Sequence, residues 1–116
     1  MKKIYHLGTC NTCKKIIAAL NPGPDVELQE IKTEAITPDQ LDHMHKLAGS
    51  YEALFSRRAM KYRSMGLNEM DLTEDDYRKY ILEEYTFLKR PVIVVDDRIF
   101  IGNAKKQVEG AREALG

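Results

Sequence analysis

The stretch Ile4-Tyr5-His6-Leu7-Gly8-Thr9-Cys10-Asn11-Thr12-Cys13-Lys14-Lys15-Ile16-Ile17 decides the fold. A short apolar strand over Lys3 to Leu7 runs into a C-x-x-C, and a helix-forming run from Lys14 to Leu20 follows. Cys10 and Cys13 are the only two cysteines in the chain. If the helix begins at the motif, the unpaired N–H groups of its first turn, including those of Asn11 and Thr12, face the first sulfur. Together with the positive end of the helix dipole they favour the thiolate. Cys10 is therefore the expected nucleophile and Cys13 its neighbouring thiol.

The competing reading is half of a structural zinc site, which needs four Cys or His ligands. No second C-x-x-C exists, and His43 and His45 lie two apart on a helical segment, where they point to different faces. No metal is expected. A structural disulfide is disfavoured too, because so short a loop removes little entropy from the unfolded chain and no export signal is present. Two inert buried thiols remain the other alternative.

Working outward, Asn21-Pro22-Gly23-Pro24 stops the first helix, and Val26 and Leu28 alternate with polar Glu27 and Gln29 in a second strand running to about Ile31. This β-α-β opening predicts parallel strands joined by a right-handed crossover. Thr37-Pro38-Asp39-Gln40 has the form of a capping box with proline at the first helical position. Leu41, Met44, Leu47 and Ala48 follow, and Gly49 ends the segment. Tyr51 to Phe55 reads as a further helical turn. Thr73 opens another helix whose Tyr77, Tyr80, Ile81 and Tyr85 form an apolar stripe, expected to be core. The period then changes. Val92-Ile93-Val94-Val95 is continuously apolar, Asp96-Asp97 turns, and Arg98-Ile99-Phe100-Ile101 returns as the second arm of a hairpin. Ala104, Val108, Ala111 and Leu115 mark a final amphipathic helix. The order matches an α/β thioredoxin-like (glutaredoxin-like) fold with a mixed four-stranded sheet. A helical insertion over about residues 36–88 separates its β-α-β and β-β-α halves, in a single domain spanning residues 1–116.

A length of 116 residues suits one domain with its own core. Eighteen basic and eighteen acidic residues cancel, which disfavours direct nucleic-acid binding. The apolar stretch after Met1-Lys2-Lys3 ends at Gly8, too short for a signal peptide or a membrane span. The expected location is the cytoplasm, where a C-x-x-C tends to be catalytic or sensory.

The chain resembles the ArsC family, which holds glutaredoxin-linked arsenate reductases and Spx-type transcriptional regulators. The resemblance is carried by Ile4-Tyr5-His6 before Cys10, Ser56-Arg57-Arg58 in the insertion, Lys89-Arg90-Pro91-Val92-Ile93 and Gly102-Asn103. It implies that Cys10 is the catalytic cysteine, with Arg90 the arginine preceding a cis-proline at Pro91. Arg58 fits the arginine of the insertion, with Arg57 the alternative one register away. Guanidinium groups suit such a site, since they present forked donors to a tetrahedral oxyanion and favour a nearby thiolate. The basic run Arg57, Arg58, Lys61, Arg63 also reads as a plain solvated face. His6 matches a histidine of the arsenate reductases and would tune the Cys10 thiol if protonated.

Two departures bear on function. Where the arsenate reductases carry another arginine after the hairpin, this chain has Phe100, Ile101, Gly102 and Asn103. Those enzymes also usually lack the second motif cysteine, whereas Cys13 is present here, as in Spx-type proteins. The expected function is a thiol-disulfide oxidoreductase of arsenate-reductase type, with Cys10 as nucleophile and Cys13 as resolving thiol. It would act on a small oxyanion or a disulfide, without a bound cofactor, and would draw electrons from glutathione and glutaredoxin or from thioredoxin. The alternative is an Spx-like redox sensor that binds RNA polymerase. Spx-type chains usually extend further than Gly116, which places that reading second.

Overall fold

The structure, a computed structural model, describes residues 1–116. The chain divides into two compact units, one of residues 1–35 and 90–116, the other of residues 36–89.

The first unit is built on β1 (Lys2–His6), α1 (Asn11–Leu20), β2 (Glu27–Glu30), β3 (Val92–Val95), β4 (Arg98–Ile101) and α5 (Lys105–Leu115). The strands form one sheet in the order β2-β1-β3-β4. β1 and β2 are parallel, as a helical crossover requires, and the other two pairings are antiparallel. Leu28, Ile4, Ile93 and Phe100 lie directly opposite one another across the four strands. On this face Ile4, Ile93, Val95, Phe100 and Ala111 form a buried cluster, flanked by Ile17 and Leu20 of α1, Val26, and Ala114 and Leu115 of α5. The two helices thus supply the apolar cover that a sheet face needs.

The alternation of β2 resolves differently from a half-buried strand with Leu28 inside. Leu28 is 47% exposed and Gln29 only 1%. β2 is an edge strand, and the apolar cluster reaches Ile4 but leaves Leu28 at its margin. Gln29 is satisfied inside because its Nε2 donates to the Glu34 carbonyl at 3.0 Å, which offsets the cost of burying an amide. At the hairpin, Asp96 adopts φ 55°, a left-handed conformation that aspartate tolerates in tight turns.

The second unit comprises α2 (Pro38–Ala48), α3 (Met60–Ser64) and α4 (Glu74–Glu83), with 3₁₀ turns at Glu52–Leu54, Leu67–Glu69 and Tyr85–Phe87. Thr37 and Gln40 close a reciprocal capping box on α2, and Thr73 and Asp76 do the same on α4. Gly49, at φ 93°, ends α2 and donates its N–H to the His45 carbonyl. Phe55 is fully buried, stacked on Phe87 at 5.1 Å between centroids and tilted against Tyr77 at 4.9 Å. Leu41, Met44, Leu54 and Ile81 are buried in the same unit. The expected stripe on α4 therefore buries Tyr77 and Ile81, while Tyr85 falls in the following 3₁₀ turn. α3 was not marked by any apolar period, and it buries no residue.

No helix is long and apolar enough to cross a membrane.

Candidate active site

The site grows from the junction of β1 and α1. Leu7-Gly8-Thr9-Cys10 forms a turn closed by the Cys10 N–H donating to the Leu7 carbonyl at 3.0 Å. Cys10 is the N-cap of α1, in extended conformation at φ −86° and ψ 112°, and its carbonyl accepts from Lys14 N–H at 3.1 Å. The Cys10 side chain makes no capping hydrogen bond. First-turn N–H groups are therefore left to act on the thiolate form. α1 has no acidic residue in its first turn to compete for them.

Both thiols are free, Cys10 part-exposed and Cys13 fully buried. Partial burial raises the Cys10 thiol. The N–H and thiol of Cys13, the N–H of Thr12 and the Arg90 guanidinium together outweigh that effect and bring it below the ordinary thiol range. Cys13 goes the other way, to about 11. Its burial dominates and the adjacent Cys10 adds to the rise, against the lowering effects of the Leu7 N–H and Arg90. One turn of helix thus holds an accessible, acidic thiol beside a buried, protonated one.

The structure brings Cys10, Cys13, the Thr12 backbone and Arg90 into mutual influence. Arg90 precedes β3 through a cis Arg90–Pro91 peptide, and Pro91 is buried. Asn11 is the first residue of α1 and is exposed. His6, which ends β1, accepts from Ile31 N–H through its carbonyl. Arg58 belongs to the second unit, exposed in the turn before α3. Its neighbour Arg57 is engaged within that unit, donating to Glu52 at 2.6 Å and to the Tyr77 hydroxyl at 3.0 Å.

Two further contributors were not read from the sequence. One is the Leu7 N–H, which acts on Cys13. The other is Glu30, at the end of β2. Its Oε1 accepts from Gly8 N–H at 2.8 Å. Its Oε2 accepts from Lys32 N–H at 3.0 Å, Thr33 N–H at 2.7 Å and the Thr33 hydroxyl at 2.9 Å. The Gly8 N–H leads these donors in holding the Glu30 carboxyl down at about 2. Glu30-Ile31-Lys32-Thr33 carries the local part of this pattern, a carboxylate facing the N–H three residues on. The contact with Gly8, 22 residues away, has no signature in the sequence.

The architecture and motif agree with comparisons to known proteins. The model of the ArsC family matches residues 5–111. The global transcriptional regulator Spx 2 of Bacillus anthracis is 27% identical over 105 residues, covering 88% of this chain and 79% of the relative. Among solved structures, an arsenate reductase from Vibrio cholerae superposes with a TM-score of 0.80 at 19% identity, over 95% of this chain and 96% of the other. An arsenate reductase (ArsC) related protein from Brucella melitensis gives 0.68 at 26% identity, over 94% and 92%. The first of these structural likenesses speaks for the fold alone, and the family match spans nearly the whole chain. On motif, topology and family match together, this chain belongs to the ArsC family.

Proposed function

We propose that the chain is a dithiol reductase of the ArsC family, with Cys10 as nucleophile and Cys13 as resolving thiol. The observation that carries this reading is the opposite displacement of the two thiols on one helical turn. The Cys10 thiolate attacks one sulfur of a disulfide, forming a mixed disulfide at Cys10, and the other half leaves as a thiolate that takes up a proton. That step removes the Cys10 charge and its hydrogen bond to Cys13, both of which raise the Cys13 thiol. Cys13 then loses its proton more readily, aided by Arg90 and the Leu7 N–H. Its sulfur attacks Cys10, releases the second half of the substrate and leaves a Cys10–Cys13 disulfide. Two electrons from thioredoxin, or from glutaredoxin with glutathione, restore the dithiol.

With arsenate, Arg90 would present forked donors to the oxyanion. The absence of a further arginine in Phe100 to Asn103 favours a disulfide or glutathione adduct as substrate. The test is NADPH-coupled reduction of arsenate and of a glutathione mixed disulfide with each donor, comparing wild type, Cys10→Ser and Cys13→Ser. Turnover must vanish with Cys10→Ser, and activity that survives this change sinks the reading. Cys13→Ser should stop at a mixed disulfide unless glutathione resolves it.

A second reading is favoured by the identity to Spx 2: a redox switch in which Cys10–Cys13 oxidation changes affinity for RNA polymerase. Equal polymerase affinity in oxidised and reduced protein, by calorimetry, removes it.

A further inference from the structure

We propose that Glu30 is a positioning residue for Cys10, holding the Leu7–Cys10 turn so that the sulfur faces the α1 N-terminus and Arg90. This deepens the reading of Cys10 as a nucleophile and rests on it. Glu30 shares its two oxygens among four donors. Oε1 serves Gly8 alone, and Oε2 serves the N–H groups of Lys32 and Thr33 and the Thr33 hydroxyl. It therefore ties the turn in front of Cys10 to the loop that leaves β2. Gly8 and Thr9 are the central residues of that turn, since Cys10 N–H bonds the Leu7 carbonyl. Leu7, where this turn begins, hydrogen-bonds Cys13 through its backbone. The carboxylate packs directly against Gly8: a Cβ built there would lie in van der Waals contact with the Glu30 Cγ, at 3.4 Å.

Glu30→Gln isolates the contact. The amide has nearly the shape of the carboxylate but only one acceptor oxygen, and its NH₂ must face N–H donors on one side. Three donors meet at Oε2 and one at Oε1. The oxygen therefore stays with Thr33 and the NH₂ repels Gly8 N–H, releasing the turn. Cys10 is then held less closely to its stabilising partners: the Thr12 N–H, the N–H and thiol of Cys13, and Arg90. Glu30 reaches Cys10 through the turn, by its bond to the Gly8 N–H. Removal of a negative charge alone makes a neighbouring thiol more acidic or leaves it unchanged, whereas loss of position makes it less acidic. The sign separates the two.

The experiment is the pH dependence of iodoacetamide alkylation at Cys10 in reduced wild type and Glu30→Gln, read by peptide mass spectrometry. The expected result is a midpoint moved upward, with alkylation at neutral pH slowed roughly threefold or more. An unchanged or lowered midpoint overturns the proposal. If Glu30→Gln does not fold, the wild-type Gly8 amide decides. It should be protected from hydrogen exchange and shift with the acid titration of a carboxyl near 2, and a rapidly exchanging, non-titrating Gly8 amide overturns the proposal. Alkylation needs no electron donor. Failed turnover in the NADPH assay therefore counts against the reductase reading, and an unmoved midpoint counts against Glu30.

Discussion

Cys10 and Cys13 stand on the same first turn of α1, one at the cap and part-exposed, the other fully buried, with their thiols displaced in opposite directions. Alkylation of the reduced protein should therefore be sequential. Cys10 reacts first, its midpoint lowered by the N–H groups and thiol around it and by Arg90, and Cys13 resists until strongly alkaline pH or unfolding. Arg90→Ala should move the Cys10 midpoint upward and slow its alkylation at neutral pH severalfold, because a cation near the sulfur favours the thiolate. An identical thiol titration in the variant would reject the electrostatic contact.

In the second unit, Arg78 forks onto Asp42, Nε to Oδ1 at 2.8 Å and Nη2 to Oδ2 at 3.2 Å, and the Tyr51 hydroxyl adds a bond to Oδ1 at 2.6 Å. The Arg78 bond, followed by that from Tyr51, holds the Asp42 carboxyl down at about 2. In the unfolded chain it returns to the ordinary value of about 3.9. Its contribution to stability is thus complete above that ordinary value and disappears as pH falls through about 2. Asp42→Asn should lower the urea midpoint at neutral pH and close the gap to wild type near pH 2, and a gap that stays constant with pH contradicts the assignment.

Phe55 anchors the second unit through its rings of contact with Phe87, Tyr77 and Tyr62, at 5.1, 4.9 and 5.9 Å. Its truncation removes a fully buried ring and leaves a cavity among aromatics that cannot all collapse inward. Phe55→Ala should cost about 3–5 kcal/mol in urea unfolding.

Gly110 lies inside α5, where alanine ordinarily stabilises a helix by about 1 kcal/mol. Here a Cβ would meet the Phe100 ring at 2.7 Å from Cε1 and 3.1 Å from Cδ1. Phe100 is part of the cluster beneath α5, so the ring moves only by disturbing Ile4, Ile93 and Ala111. Gly110→Ala should therefore lower the thermal midpoint, at a net cost of about 1–2 kcal/mol. A raised midpoint would mean the ring swings away freely.

Much of the fold was legible because its signals are local. The β3–β4 hairpin is written in a continuous apolar run, an Asp-Asp turn and a second apolar run, and it forms at those residues. Thr37 and Gln40 satisfy each other within a single turn, so their capping box needs no tertiary partner. The start of α1 at the C-x-x-C is equally local. α3 was not legible: its five residues bury nothing, and Met60 is 90% exposed, so no apolar period announces it. The exposure of Leu28 and burial of Gln29 were not legible, because burial at an edge strand depends on how far the neighbouring elements reach, which alternation does not encode.

At the candidate site the same division holds. The sequence by itself determined that two thiols share one helical turn at the end of a strand, since four consecutive residues and the flanking periodicity contain that information. Only the tertiary structure decided which surroundings separate them. Arg90 enters from the bend before β3, 80 residues away in sequence, Cys13 is sealed in the core, and Glu30 grips Gly8 across 22 residues. Solvation, charge proximity and hydrogen-bond geometry set a thiol's acidity, and all three are properties of space around the sulfur rather than of its neighbours along the chain.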